Sequence, residues 1–313
     1  MVIKIQENVP LAPLTTFNIG GSARYFAEIK SEAEITEVLA VAQEKGIPLI
    51  MFAGGSNVLV PDEGLNALVV SISLKNFTCR DNVLEAEAGC NLLSLIREMS
   101  NINLGGWEKL SGIPGTIGGA VRGNAGAFGV EIKDVVTKVR AFNANKSDLS
   151  EMIREFSNNE CDFAYRHSFF KDNRNWIITS VAVRLLKVAD RAESKRLIEQ
   201  TIAGREKRHL QNIQAAGSYF MNPVAPREVQ EMFEKDKGMK SREGRVPAGW
   251  LIEKAGMKGA KVGGAIASFQ HPNYIVNEGH ASARDVKELA QKIKDAVRAK
   301  FGVDLQEEAV ILA

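Results

Sequence analysis

Apolar residues recur in this chain with two different periods, and the change of period marks out its elements. Ile35, Val38, Leu39 and Ala42 fall on one face of a helix. Ser31-x-x-Glu34 reads as its capping box and Gly46 as its stop. The unbroken run Pro48-Leu-Ile-Met-Phe52 predicts a buried strand, and 67–72 a second. Segments 83–88, 135–143 and 177–186 are β-branched or alternating and predict strands, with a short helix at Asn91–Arg97 between them. Ala189 to His209 predicts a long polar helix connecting domains. In the last hundred residues Pro247 fits a first helical turn and Gly256 its cap. Another helix begins at Ser282-x-x-Asp285, carries Val286, Leu289, Ile293 and Val297 on one face, and stops at Gly302. Val303–Leu312 reads as a final strand. The order is β/α, then strand-rich, then α+β, with no internal repeat or low-complexity linker.

The densest irregular stretch is Gly112 to Gly129, where seven of 18 residues are glycine. Apolar and β-branched residues lie between the glycines, so the segment can pack as well as bend. Glycine permits close backbone approach to a ligand and supplies positive φ. Successive N–H groups in such a loop can form an anion-binding concavity. A shorter loop, Ala53-Gly-Gly-Ser-Asn57, follows the first predicted buried strand. Alone it reads as an ordinary turn. Together the two loops suggest a dinucleotide with a diphosphate bridge. Neither fits G-x-G-x-x-G or G-x-x-x-x-G-K-[ST], which disfavours the usual nicotinamide and nucleoside-triphosphate folds.

Composition narrows the classes. The 313 residues suffice for two or three domains, and 45% hydrophobic with 25% charged residues is ordinary for a globular protein. A net charge of +2 gives no nucleic-acid footprint. Cys79, Cys90 and Cys161 are odd in number and lack metal spacing, and the four histidines are scattered. Reduced thiols in a cytosol are expected, with no metal. No apolar run reaches membrane-spanning length and the N-terminus carries no export signal, so a cytoplasmic chain is expected.

The two glycine loops resemble the FAD-binding loops of the UDP-N-acetylenolpyruvoylglucosamine reductase family. The resemblance runs from Thr15-Thr-Phe-Asn-Ile-Gly-Gly-Ser22 through both loops. It continues in Tyr165-Arg-His-Ser-Phe-Phe-Lys171, Ala216-Gly-Ser-Tyr-Phe-Met-Asn-Pro223 and Pro247-Ala-Gly-Trp-Leu-Ile-Glu-Lys-Ala-Gly256. It ends in His271-Pro-Asn-Tyr-Ile-Val-Asn277 and Leu305-Gln-Glu-Glu308. The direct run from Tyr165-Arg166 to Trp176-Ile-Ile-Thr-Ser-Val181 is similar to the shorter subtype, which lacks a tyrosine-bearing insertion. The resemblance implies an α+β fold. A two-lobed FAD-binding domain of the vanillyl-alcohol-oxidase/p-cresol-methylhydroxylase type would occupy 1–200, with lobes 1–72 and 73–200. A smaller α+β substrate domain, 201–313, would return its final strand to the active site.

The same resemblance implies an enzyme that uses NADPH as co-substrate and non-covalent FAD to reduce the enolpyruvyl ether of a UDP-sugar, acting as a monomer in peptidoglycan precursor synthesis. Ala53, Gly54, Gly55, Ser56 and Asn57 would bind FAD together with Gly115, Thr116, Gly118, Gly119, Asn124, Ala125 and Gly126. Ser218 matches the family's general acid, Arg166 its arginine at the substrate carboxylate, and Glu308 its C-terminal catalytic glutamate. Tyr165 and Asn222 match substrate-contacting positions. The residue types suit the chemistry. A guanidinium holds a carboxylate through two parallel hydrogen bonds and offsets charge developing beside it.

Three positions depart from the family pattern. Met221 stands where many relatives have lysine, Val310 where some have arginine, and Arg122-Gly123 replaces a bulkier, less charged pair. Glu307 stands where the family often has proline, leaving open which of Glu307 and Glu308 faces the site. Two other readings remain at this level. One is an FAD oxidase or dehydrogenase acting on an alcohol or hydroxy acid. A tethered version is disfavoured, since no histidine precedes His167. The other is a non-catalytic flavin or nucleotide-sugar binder.

Overall fold

The computed structural model describes residues 3–146, 149–207 and 213–313. The chain folds as two compact units. One comprises Met1–Val9, Ala23–Gly54 and Asn66–Glu206, the other Pro10–Ser22, Gly55–Leu65 and Lys207–Ala313. The C-terminal unit thus takes in two short segments from the first 72 residues.

Among the described residues the N-terminal unit holds two larger sheets and two short two-stranded ones. In the first, strands Gln6–Pro10, Ser22–Ile29, Leu65–Ile72 and Leu49–Phe52 lie in that order, the last two parallel with Leu49 opposite Leu68. Helix Ala33–Lys45 buries Ile35, Val38 and Ala42 in the core formed with Ala27, Ile29, Leu68 and Val70. The expected Ser31 capping box does not form. Glu32 is already helical at φ −62° and ψ −30°, so no extended cap residue exists there. Glu34 instead accepts a hydrogen bond from Lys30 N at 2.6 Å, and Glu32 pairs with Arg140. Gly46 ends the helix in the left-handed region, as the sequence predicts.

The second sheet is antiparallel and orders its strands Ile153–Ser157, Val136–Asn143, Trp176–Arg184, Val83–Glu87 and Phe77–Arg80. Its apolar face packs with helix Leu92–Asn101, whose Asn91 caps it by accepting from Ser94 N. The strand expected over 177–186 ends at Arg184. Leu186–Lys187 instead pairs with Leu104–Gly105. The polar helix spans Arg191–Glu206, and its predicted end at His209 lies outside the described residues.

The C-terminal unit packs helices Arg227–Lys237, Ala248–Lys254 and Ala283–Phe301 around a core that includes the strands Ala265–Ala267 and Ile275–Asn277. Ser282 and Asp285 form the predicted capping box, and Val286, Leu289, Ile293 and Val297 are buried. Pro247 is the cap of its helix rather than its first turn, because its ψ of 123° is extended. The final strand is much shorter than expected, covering Val310–Ile311 in parallel with Val58–Leu59. The preceding residues turn to a different partner, with Glu307 bridged to Phe220, so neither pairing extends. Among the described residues no helix is long and apolar enough to cross a membrane.

Cys79, Cys90 and Cys161 are free. Burial, reinforced by Glu87, pushes the Cys90 thiol up to about 11, and burial with Glu160 pushes Cys161 up to about 12. Both are therefore protonated and poorly nucleophilic at pH 8. Iodoacetamide at that pH is expected to label half-buried Cys79 slowly and to spare the other two, as read by peptide mass spectrometry. Labelling of Cys90 or Cys161 at the rate of a free thiol would contradict this.

Candidate active site

In the N-terminal unit the two glycine loops touch. A Cβ on Gly54 would lie 2.8 Å from the Gly115 Cα, so only glycine allows this approach. Gly115 itself has φ +112°. Thr116 caps the short helix Ile117–Arg122 by accepting from Gly119 N at 3.2 Å. The N–H groups of Ile117 and Gly118 donate to the carbonyls of Cys90 and Ala88. These three donors, a source of the anion-binding concavity suggested by the sequence, are thus spent inside the chain. The turn needs them to anchor the loop on the strand Val83–Glu87 side of the unit.

The loop's glycines divide by what they meet. A Cβ on Gly118 would sit 2.7 Å from Ala88 Cβ, and one on Gly126 2.8 Å from Glu131 Cγ. Those glycines are demanded by the chain's own packing. A Cβ on Gly119 would meet only Thr116 Oγ1 at 3.5 Å and Ala53 Cβ at 3.8 Å, which are ordinary contacts. Nothing among the described residues requires glycine there. A flat group resting against Ala53, Thr116 and Gly119 would, so these residues fit a flavin nucleotide, the ligand of the loops that they resemble.

Asn124 and Gly126 serve a neighbouring turn. Asn124 is fully buried, and its Nδ2 donates to Ala164 O at 2.8 Å and to Glu131 at 3.1 Å. Ala125 N donates to Ala120 O, and Gly126 pairs with Glu131 in a hairpin. Ala164 and His167 exchange backbone hydrogen bonds, which leaves Tyr165 and Arg166 at the corner of a tight turn. Arg166 has φ +55°, a strained value for a non-glycine residue. Its Nη2 donates to Gly126 O at 3.0 Å, and its guanidinium carbon lies 5.5 Å from the Tyr165 ring centre. The structure therefore brings Asn124, Gly126, Tyr165 and Arg166 together. Asn124's side chain is consumed in holding that turn, which its position in a glycine loop did not foretell. Arg122 is largely desolvated, which together with nearby Arg174 lowers its pKa.

In the C-terminal unit, Gly55 has φ +60°, and a Cβ there would strike Leu14 O at 2.1 Å. Asn57 Nδ2 donates to Glu308 O at 3.1 Å, and Val310 N donates to Asn57 O at 3.0 Å. Asn57 thus ties its loop, which includes Ser56, to the C-terminal tail. On its other side the tail runs beside the segment bearing Ser218. Glu308 N donates to Tyr219 O at 2.8 Å, Met221 N donates to Gln306 O at 2.9 Å, and Phe220 bridges Glu307. The Glu307 carboxylate is held by Lys294 on helix Ala283–Phe301 at 2.5 Å.

Asn273 completes the clamp. Its buried side chain accepts from Phe220 N at 2.9 Å and donates to Phe220 O at 2.8 Å, while its own carbonyl accepts from Tyr219 N at 2.7 Å. The sequence signal was a lone amide followed by Tyr274-Ile-Val, but nothing in it named the partner. Asn222 Oδ1 accepts from Ala248 N at 2.9 Å and so caps the helix that Pro247 opens. That oxygen is committed to the fold. Asn222 also lines a cavity of about 280 Å³ with Ser218, Trp250 and His271.

Residues 23–147 match the model of an FAD binding domain, and 208–312 that of the UDP-N-acetylenolpyruvoylglucosamine reductase C-terminal domain. The chain is 37% identical over 311 residues to UDP-N-acetylenolpyruvoylglucosamine reductase of Carboxydothermus hydrogenoformans, covering 98% of this chain and 94% of that one. It is 34% identical over 310 residues to the Solibacter usitatus protein of the same name, covering 98% and 96%. The crystal structure of UDP-N-acetylenolpyruvylglucosamine reductase from Thermus caldophilus matches with a TM-score of 0.78 and 27% identity, covering 99% of this chain and all of the other.

Proposed function

The chain belongs to the UDP-N-acetylenolpyruvoylglucosamine reductase family, an FAD-dependent oxidoreductase family, and from that membership we propose that it reduces UDP-N-acetylglucosamine enolpyruvate to UDP-N-acetylmuramate with NADPH. The step would belong to peptidoglycan precursor synthesis in the cytoplasm, carried out by a monomer. The observation that most supports this reading in the structure is the backbone pairing of Tyr219 with Glu308, beside Ser218. It ties the chain segments of a hydroxyl donor and a carboxylate to each other, as a proton-delivering site needs.

Bound FAD would take reducing equivalents from NADPH and supply the hydride for the methylene carbon of the enolpyruvyl group. The loops that carry Ala53, Gly54, Gly115, Thr116, Gly118, Gly119, Ala125 and Gly126, with Gly55 and Ser56, would hold it. Asn57 and Asn124 act through those loops, since their side chains already bond to the chain. Charge then develops toward the substrate carboxylate. Arg166 neutralises it with its guanidinium, in the turn that Tyr165 shares. Ser218 Oγ donates its proton to the carbon next to that carboxylate, forming the lactyl ether. Glu308 stabilises the enolic form, and Asn222 holds the substrate-domain loop in place. The test is steady-state turnover: NADPH oxidation should depend on the enolpyruvyl nucleotide and yield a product two hydrogen atoms heavier by mass spectrometry. NADPH consumption without that product would refute the assignment.

A further inference from the structure

The cavity of about 280 Å³ in the C-terminal unit is lined by Ser218, Asn222, Trp250 and His271, and also by Lys237 and Glu253. A cavity of this volume admits a diphosphate group. Lys237 is the last residue of helix Arg227–Lys237, and its side chain is 46% exposed. Among the described residues its Nζ forms an ion pair with Asp236, 3.7 Å away. Both Asp236 oxygens already have closer donors. Trp250 Nε1 donates to Oδ2 at 2.8 Å, and Lys254 Nζ donates to Oδ1 at 2.9 Å. Glu253, the acid in the wall, is paired with Lys258 at 3.0 Å. Among the described residues, the cavity wall therefore carries a cation whose ion-pair partner, Asp236, is shared with Lys254 and Trp250. Met221 lies outside the wall, so the cation does not depend on what stands at that position.

We propose that the ammonium of Lys237 binds the diphosphate of the nucleotide ligand in this cavity. The assignment rests on the nucleotide-sugar reading above. A nucleotide sugar and NADPH share the diphosphate, and the charge argument applies equally to both. An ammonium beside a phosphate at a partly exposed site gains from direct Coulomb attraction, and salt screens that gain.

The test is isothermal titration of the flavin-loaded protein with UDP-N-acetylglucosamine in one arm and NADP⁺ in the other, at low and high ionic strength. Lys237→Gln is expected to weaken one ligand about three- to fivefold at low salt, in line with exposed charge pairs. Lys237→Glu should weaken it further, Lys237→Arg should retain affinity, and about 1 M salt should shrink the differences. The arm that responds identifies the ligand. Equal affinities of native protein and Lys237→Gln in both arms would overturn the assignment, as would a loss that salt leaves unchanged. Turnover separates this from the catalytic reading. A protein that forms the lactyl ether while Lys237→Gln binds normally refutes the lysine's role alone. A Lys237-dependent binder that forms no product refutes the reaction alone.

Discussion

Ser218→Ala is expected to leave NADPH reduction of the bound flavin nearly intact and to slow reoxidation by the enolpyruvyl nucleotide by about 10²–10⁴-fold, the usual contribution of general acid catalysis. The two half-reactions make different demands on the protein. Only the second needs a proton placed on carbon. The substitution removes one hydroxyl and leaves the backbone where it is, because Asn273 holds Phe220 from both sides and the tail holds Tyr219 and Met221. Glu308→Gln should show the same separation, since its proposed role belongs to the second half-reaction and the substitution leaves its main-chain hydrogen bond to Tyr219 in place. Stopped-flow absorbance of the oxidised flavin reads both steps. Normal reoxidation in Ser218→Ala would remove Ser218 from the mechanism. Equal slowing of both half-reactions would mean that the change damages the fold around the site.

Gly119→Leu should yield a folded protein that purifies without flavin. The chain leaves room for a Cβ at this position, with its nearest atoms at 3.5 and 3.8 Å, so folding survives. The larger side chain would occupy the surface on which the nucleotide is proposed to rest. Gly118→Leu is the contrast, because its Cβ would start 2.7 Å from that of Ala88 and the loop itself must shift. Flavin absorbance per protein and a thermal melt distinguish the two. A Gly119→Leu protein with full flavin content and a normal melt would show that the loop is not the flavin's resting surface.

Much of this architecture could be read directly along the chain, for identifiable reasons. Helix Ala283–Phe301 was legible because its capping box, apolar stripe and terminal glycine all agree. Strands Leu49–Phe52 and Val136–Asn143 were legible as apolar and β-branched runs. The Ser31 capping box failed because the same pattern can be met one residue earlier, with Glu34 reaching Lys30. The tail read as one strand because its apolar alternation is continuous, yet it divides between Phe220 and Val58–Leu59, partners far apart in sequence. The loops' glycine density suggested a ligand, but Gly118 and Gly126 answer to neighbours in the chain. Asn124, Asn222 and Asn273 hold the site segments through side-chain bonds to distant backbone, and no local pattern encodes such partners.

An anaerobic absorbance titration tests the proposed reaction most directly. The purified protein should show the spectrum of oxidised flavin, lose it on addition of NADPH, and regain it on addition of UDP-N-acetylglucosamine enolpyruvate with oxygen absent. Flavin that NADPH bleaches but only oxygen restores would contradict the assignment, as would a protein that carries no flavin.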